Sequence, residues 1–183
     1  MTDVAGCDNR LRMTDVSLVP LDDRWLDDVS ALVADPTVLA FTRIPEPPPP
    51  DFAQTWIGSY VAGRSDGTRE GFAAVDARGR FVGVGLAPQI DRDDAEAELG
   101  YIVSAHARGQ GVATAILRRL TDWAFAELGA QRLILIIDVD NHASLRVAER
   151  CGYHREGVMR SIHIKQQRRS DAVLWSRLPG DPG

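Results

Sequence analysis

The sequence predicts an α/β (or α+β) fold in which helices cover a central mixed sheet of about seven strands. Three observations indicate this class. Seven segments have the pattern of short strands, and helical patterns separate some of them. Two of the strand segments, 71–77 and 81–87, are joined by a turn that contains Gly79 and predict an antiparallel hairpin. Another segment, 132–140, is an almost continuous apolar run, which is typical of a strand covered on both faces.

The chain begins with one predicted strand and two predicted helices. Residues 16–23 alternate as a strand does, and apolar residues then recur at helical spacing up to Pro36, where we expect the first helix to end. The proline-rich segment 43–50 predicts a stiff, extended linker. Asp51 and Gln54 form the pattern of a capping box, which predicts the start of the second helix. The predicted apolar face of that helix consists of Phe52, Trp56, Ile57, Tyr60 and Val61, and a loop follows at 64–69.

The second half of the chain predicts four more strands and two more helices. An acidic loop at 91–97 precedes the first of these strands. The longer helix has one apolar face and ends at Gly129, a residue suited to the position after a helix. Asn141 is a good N-cap for the shorter helix, which closes at Gly152. The four strands are predicted at 98–104, 132–140, 153–164 and 171–178, and the apolar helix face consists of Val112, Ile116, Leu120, Trp123, Ala124 and Leu128.

These elements predict a single domain over residues 16–178, with a flexible N-terminal extension at 1–15 and a short tail at 179–183. The tetrapeptide MTDV occurs at Met1 and again at Met13. Either Met13 is the native start or the repetition is a coincidence, and an intact mass that begins at Met1 would exclude the first explanation.

The composition argues against several classes of function. With 183 residues, 44% of them apolar, the chain is large enough for a hydrophobic core that needs no metal or disulfide. No segment approaches the ~18 consecutive apolar residues of a membrane helix, and the N-terminus lacks the apolar run of a signal peptide. The net charge of −5 argues against a nucleic-acid-binding surface. Cys7 and Cys151 are too few for a zinc site or a disulfide framework, so we expect no metal and a cytoplasmic protein.

The stretch HARGQGVATAILRRL, residues 106–120, predicts an anion-binding turn. A strand runs into Gly109 and Gly111, and a helix begins directly after them. The first turn of a helix has unpaired N–H groups and a partial positive charge, and Arg108 can add to that charge. The segment lacks the Gly-Lys-Ser/Thr ending of a P-loop, and Thr114 breaks the Rossmann glycine spacing. Because phosphates bind helix N-termini readily, a pyrophosphate is the expected ligand.

The residues RGQGVA, 108–113, match the Arg/Gln-x-x-Gly-x-Gly/Ala signature of the GNAT N-acetyltransferases. Residues 98–157 around this signature resemble the RimJ/RimL-like branch of that superfamily, and the rest of the chain agrees with it in element order. The resemblance implies the GNAT fold, a mostly antiparallel sheet with a splay between strands 4 and 5 that holds acetyl-CoA. It also implies an enzyme that acetylates a primary amine, such as a protein N-terminus, by direct transfer in a ternary complex. A homodimer is a further expectation from the family.

The same resemblance implies roles for individual residues. The pyrophosphate would lie on the turn from Gly109 to Thr114, and the pantetheine arm would pair with the main chain of the preceding strand. Asn141 would cap its helix and contact the CoA arm, Ser144 would protonate the leaving thiolate, and Glu98 would act as the base. Each residue also has a plain structural explanation, as a strand residue, a helix cap or a solvated surface group. The expected cofactor contacts are Ile102, Val103, Ser104, Arg108, Gly109, Gln110, Gly111, Val112, Ala113, Thr114 and Asn141.

Acidic residues close to these strands predict a negative potential that attracts a cationic amine, although a solvated loop explains residues 91–94 equally well. Two other functions stay open at this point. One is an acyltransferase for a small-molecule amine or an antibiotic, and the other is a non-catalytic acyl-CoA-binding sensor. A sensor would bind CoA tightly without turnover. The acidic residues are Asp91, Asp93, Asp94, Glu96, Glu98, Asp138 and Asp140.

Overall fold

The computed structural model describes the protein over residues 15–165 and 168–182. Residues 1–14, which make up nearly all of the predicted N-terminal extension and include both candidate start methionines, lie outside the described residues. The strands are β1 (Ser17–Pro20), β2 (Glu70–Val75), β3 (Phe81–Asp91), β4 (Glu96–Val103), β5 (Arg132–Asp138), β6 (His154–Lys165) and β7 (Arg168–Arg177). The helices are α1 (Leu26–Val33), α2 (Pro36–Phe41), α3 (Phe52–Asp66), α4 (Val112–Ala126) and α5 (His142–Arg150).

The strands form one mixed sheet in the order β1-β2-β3-β4-β5-β7-β6. Neighbouring strands are antiparallel, with the exception of β4 and β5, which are parallel. β2 and β3 form the predicted hairpin. The predicted mixed and mostly antiparallel sheet is therefore confirmed.

β4 and β5 separate after their first residues. Although β4 runs on to Val103 and β5 to Asp138, the two strands are paired only at their beginning. The paired residues are Glu96 with Arg132, Ala97 with Leu133 and Glu98 with Ile134. Beyond Glu98, one edge of β4 faces an opening in the middle of the sheet, and this is the splay that the family resemblance implies.

Helices cover both faces of the sheet and bury its apolar side chains. α4 and α5 lie on one face, where Ile116 and Leu120 are fully buried. α1, α2 and α3 cover the other face, where Val29 and Ile57 are fully buried. Removal of these side chains from water is the main force that stabilises the layers on either side of the splay. None of the described helices combines the length and the apolar character needed to cross a membrane.

The first helical region is divided in two, a division that its sequence pattern did not predict. α1 ends at Val33, before Pro36 as expected, but Pro36 then begins α2. Asp35 caps α2, because its carboxylate accepts hydrogen bonds from the amides of Thr37 at 2.7 Å and Val38 at 3.3 Å. Proline fits the first position of a helix, where its missing N–H has no intrahelical partner to lose.

The two ends of α3 also differ from the prediction. Asp51 precedes the helix, but its side chain makes no capping hydrogen bond, so the predicted capping box is not formed. At the other end the helix continues to Asp66 and closes at Gly67, through half of the segment that was predicted to be a loop. On the predicted apolar face, Val61 is 40% exposed, so the prediction is wrong at this position.

The loop between β3 and β4 is shorter than the acidic loop predicted at 91–97. β3 extends to Asp91 and β4 begins at Glu96, which leaves a tight turn. Asp91 stabilises this turn by accepting hydrogen bonds from the amides of Asp93 and Asp94, both at 3.0 Å.

β5 is buried on one face, not on both as its apolar run predicted. Leu133, Leu135 and Ile137 are buried under α4 and α5, whereas Ile134 and Ile136 on the other face are half-buried. The reason is the splay, because the exposed face of β5 forms part of the wall of a cleft.

Candidate active site

A cleft of about 980 Å³ opens where β4 and β5 separate. Its floor is formed by the two diverging strands and by the start of α5. One wall comes from α2, α3 and the segment between them, and the opposite wall comes from β6 and β7. The lining includes Glu98 and Tyr101 from β4, Asp138 from β5, Asn141 and Ser144 at the start of α5, Arg43, Trp56 and Tyr60 from the first wall, and His163, Arg168 and Ser170 from the second.

The glycine turn follows β4 after a short 3-10 helix, Ala105–Ala107, and leads into α4. Gly109 and Gly111 have φ angles of +72° and +82°, a conformation that favours glycine over any residue with a Cβ. No side chain caps α4 at Gly111, and the helical bonding begins where the Ala115 amide donates to the Gly111 carbonyl at 3.0 Å. The amides at the start of α4, which belong to Val112, Ala113 and Thr114, therefore remain available to an anion.

The side chains of this turn have different surroundings. Val112 is buried in the core, where it anchors the helix, and Ala113 and Thr114 are half-buried. Gln110 is exposed and donates a hydrogen bond to the carbonyl of His106 at 2.8 Å. At these four positions it is the main chain, more than the side chains, that is suited to contact a pyrophosphate.

Arg108 is engaged by the protein itself. Its guanidinium donates a hydrogen bond to the Asp35 carboxylate at 2.9 Å, and its Nε donates to the Val103 carbonyl at 3.2 Å. Burial would raise the pKa of Asp35, but the Arg108 charge together with the α2 amides lowers it. Arg108 thus joins the glycine turn to α2 and to the end of β4, a role that its position in the sequence did not reveal.

Of the three predicted strand contacts, Val103 is the one whose main chain faces the splay. The Ser104 amide donates to Val82 on β3 at 3.0 Å. Because successive N–H groups along a strand point to opposite edges, the Val103 and Tyr101 amides face β5, and the Ile102 amide faces β3 with Ser104. The side chains of Ile102 and Ser104 are both buried.

The start of α5 brings Asn141 and Ser144 to the cleft. The Asn141 side chain accepts a hydrogen bond from the Ser144 amide at 3.2 Å, which confirms Asn141 as the helix cap. Both residues line the cleft, and the half-buried Ser144 side chain lies next to the Tyr101 phenol. The hydroxyl of Tyr101 is buried and forms no hydrogen bond with any described residue. Burial raises the pKa of Tyr101 to about 12, and the neighbouring Ser144 hydroxyl lowers it by a smaller amount.

Glu98 is half-buried in the cleft, at the last position where β4 still pairs with β5. Burial raises the pKa of Glu98, and the positive charge of Arg43 opposes this rise. On the same side of the cleft, Tyr60 of α3 packs its ring edge-on against Trp56 with centroids 5.3 Å apart. A carboxylate with a raised pKa in a cleft is well suited to accept a proton from an amine.

Many residues of the cleft were not among the site candidates that the sequence indicated, and Arg43, Tyr101 and His163 are three of them. Burial lowers the pKa of His163, and Arg43 lowers it further, whereas Asp138 raises it. Arg43 therefore lies close enough to influence ionisable groups on β4 and on β6. No local signal marks Arg43 or His163, because the segments that carry them meet the splayed strands only in the folded chain. Tyr101 lies between the candidates Glu98 and Ile102, where its residue type fits a plain strand residue equally well.

The predicted acidic residues are divided between two regions. Glu98, Asp138 and Asp140 line the cleft. The others belong to the β3–β4 turn or to the start of β4, where Glu96 forms an ion pair with Arg132 at 2.7 Å. The solvated-loop explanation thus fits residues 91–94, and the three predicted carboxylates share the cleft with those of Glu46 and Asp171 and with three arginines.

Comparison with known proteins identifies the family. Residues 15–154 match the model of the acetyltransferase (GNAT) domain. The chain is 34% identical over 89 residues to "Putative ribosomal N-acetyltransferase YdaF" of Bacillus subtilis strain 168, and it is 26% identical over 92 residues to the spermidine N(1)-acetyltransferase of Vibrio cholerae. These alignments cover 49% and 50% of this chain, and 49% and 53% of the relatives, so the chain spans about half the length of the curated relatives it matches.

Solved structures show the same fold. The RimL ribosomal L7/L12 α-N-protein acetyltransferase in complex with CoA has a TM-score of 0.82 at 20% identity, with 91% of this chain and 96% of that chain covered. The spermidine N-acetyltransferase of Vibrio cholerae in complex with CoA and spermine has a TM-score of 0.79 at 20% identity, with 90% and 96% covered. The family match spans most of the chain, and the splayed sheet agrees with it. The chain belongs to the GNAT acetyltransferase family.

Proposed function

We propose that the protein is an acetyl-CoA-dependent N-acetyltransferase that transfers an acetyl group directly to a primary amine in a ternary complex. The observation that carries this proposal is the convergence of Glu98 and Ser144 on one cleft, at the splay that leads to an anion-binding turn. A carboxylate and a hydroxyl in that arrangement suit the two proton movements of amine acetylation.

The described residues fit acetyl-CoA in three respects. The α4 amides after Gly111 can hold the pyrophosphate. The open edge of β4, where the Tyr101 amide also faces the splay, can pair with the amides of the pantetheine arm. Beside this edge, the hydroxyl of Tyr101, which lines the cleft, is buried without a partner among the described residues, as expected of a group whose hydrogen bond forms only when the site is occupied.

Acetyl-CoA supplies the activated acetyl group as a thioester. The Val103 amide, which faces the splay, donates a hydrogen bond to the thioester carbonyl and stabilises the negative charge that develops on its oxygen. Glu98 accepts the proton of the attacking amine, directly or through a water molecule. Ser144 donates a hydrogen bond to the sulfur as the carbon–sulfur bond breaks, and the thiolate takes the second proton that the nitrogen of the amine loses.

The acceptor in this proposal is a protein N-terminal amine. The cleft is wide and carries both signs of charge, with Glu98, Asp138 and Asp140 suited to a cationic amine and Arg43 and Arg168 suited to acidic groups or carbonyls of a peptide. A small amine such as a polyamine is the second candidate, favoured by the same three carboxylates. Relatives named for ribosomal proteins and for spermidine fit both candidates.

The first experiment is a CoA-release assay with acetyl-CoA and a panel of peptide N-termini, polyamines and aminoglycosides. Turnover with one class of amine supports the proposed enzymatic activity and identifies the type of acceptor. Tight CoA binding without release across the panel would favour the sensor function instead, and absence of CoA binding would refute both.

Ser144→Ala is expected to lower kcat about ten- to a hundredfold and to leave the affinity for CoA nearly unchanged. A thiolate is a good leaving group, so the loss should lie at or below the lower end of the usual range for general acids. Steady-state kinetics and calorimetry measure the two quantities. Ser170→Ala, which removes a hydroxyl from the opposite wall of the same cleft, is the matched control and should keep normal turnover. Normal turnover of Ser144→Ala would exclude Ser144 from the mechanism.

A further inference from the structure

Two tyrosines that pack in the same core cluster, Tyr101 and Tyr153, have buried hydroxyls, and of these two only the Tyr153 hydroxyl has a partner among the described residues. The Tyr153 hydroxyl lies 2.8 Å from the Thr121 hydroxyl, and both residues are buried in the core under α4. The Tyr101 ring packs against the same core, but its hydroxyl has no hydrogen bond to any described residue. A buried polar group without a partner is destabilising in the folded protein, so its presence at Tyr101 calls for an explanation.

The location of the Tyr101 hydroxyl supplies that explanation. Tyr101 lies on β4 beyond the last pair with β5, and its ring packs on the face of the sheet that α4 and α5 cover. There its neighbour is Ser144, whose hydroxyl lowers the pKa of the Tyr101 phenol. The distance and angles between the two hydroxyls nevertheless do not meet the criteria for a hydrogen bond. Both side chains line the cleft.

We propose that Tyr101 is a positioning residue for Ser144, whose hydroxyl oxygen accepts the hydrogen of the Tyr101 phenol when acetyl-CoA occupies the cleft. The inference rests on the proposed function, in which Ser144 acts on the thioester sulfur. A phenol has a single hydrogen, and in this arrangement Tyr101 uses it on Ser144. The hydrogen of Ser144 cannot then point back at Tyr101, so it points into the cleft, where the sulfur lies.

The protonation state of Tyr101 supports this direction of donation. Because burial raises the pKa of Tyr101 to about 12, the phenol keeps its hydrogen throughout the physiological range and acts as a stable donor. No proton leaves Tyr101 in this role. It fixes the orientation of the Ser144 hydroxyl, and an oriented donor needs no reorganisation as charge develops on the sulfur.

Tyr101→Phe tests the inference, with Tyr153→Phe as the matched control. Each substitution removes one buried phenol oxygen and keeps the ring. We expect Tyr101→Phe to lower kcat about fivefold, to leave the KM for acetyl-CoA unchanged, and to leave Tm unchanged or raised, because the oxygen that is lost had no partner. We expect the opposite pattern for Tyr153→Phe, a lowered Tm with normal kcat, because its oxygen is hydrogen-bonded.

A double-mutant cycle with Ser144→Ala separates positioning from general packing. If Tyr101 acts through Ser144, Tyr101→Phe has no further effect on kcat in the Ser144→Ala background. An equal fold loss in both backgrounds, or a normal kcat for Tyr101→Phe, would overturn the inference. The Tm comparison needs no acceptor, so it applies even if the wild-type protein transfers acetyl to no amine and the proposed function fails. A Tm loss in Tyr101→Phe as large as that in Tyr153→Phe would show that the Tyr101 hydroxyl already has a partner, and would also overturn the inference.

Discussion

Replacement of Gly111 by glutamate is expected to weaken CoA binding by more than about a hundredfold. Gly111 precedes the first turn of α4, where the free amides and the helix dipole make the proposed pyrophosphate site. A carboxylate at this position competes for the same amides and repels the phosphates. Near the surface, these two effects together should weaken the binding free energy by about 3 kcal/mol. That loss corresponds to a factor of more than a hundred in Kd. Isothermal titration calorimetry with CoA measures it directly.

The control for this experiment is Gly129→Glu. Gly129 has a φ angle of +74° against +82° for Gly111, and no atom lies within 4 Å of the position where its Cβ would be. The substitution therefore introduces the same charge and a similar backbone strain, but at the other end of α4. We expect Gly129→Glu to destabilise the fold moderately and to bind CoA normally. If Gly111→Glu also binds CoA normally while folded, the cofactor site has been assigned to the wrong turn.

Glu98→Gln is expected to lower kcat/KM about a hundred- to a thousandfold at pH 7, within the range typical of a lost general base. The pKa of Glu98 is raised by burial, so the base is active above that raised pKa, and the wild-type rate falls as the pH decreases through it. Glutamine cannot titrate, and the variant must use amine that is already deprotonated. Its rate should therefore approach that of the wild type as the pH rises towards the pKa of the amine, and a pH–rate profile from about pH 5 to about pH 10 checks this.

Glu96→Gln is the companion variant, because it removes the same charge two residues away. Glu96 pairs with Arg132 outside the cleft, so its loss should affect stability and leave the pH profile unchanged. A Glu98→Gln variant with wild-type activity at neutral pH would mean that amine deprotonation does not depend on this carboxylate.

Local patterns predicted most of the fold, and the exceptions have identifiable physical causes. Pro36 was interpreted only as a helix breaker, although Asp35 before it forms the N-cap that makes proline suitable for the first position of α2. The Asp51 and Gln54 pattern has the correct spacing for a capping box, but the Asp51 main chain enters α3 with φ and ψ of −96° and 7°, and its side chain makes no cap. The apolar run of β5 indicated burial on both faces because a cleft wall is also apolar.

The candidate site could be predicted where its residues belong to one continuous segment. The turn after β4 and the cap at Asn141 are local arrangements, and both were found from spacing alone. The bond from Arg108 to Asp35 joins residues 73 positions apart, and no pattern in either segment points to the other. Arg43 and His163 reach the cleft for the same reason, through the tertiary fold.

The separation of β4 from β5 makes neighbouring residues of one strand differ in their exchange with solvent. The Ser104 amide is bonded to β3, whereas the Tyr101 and Val103 amides face the opening. In deuterated water, the amide hydrogens of β4 beyond Glu98 should therefore alternate between slow and fast exchange from one residue to the next. CoA should slow only the fast set, because the slow set is already protected inside the sheet. If the exchange rates alternate in this way, the amides of this one strand would report directly on the binding of the CoA that the family match implies.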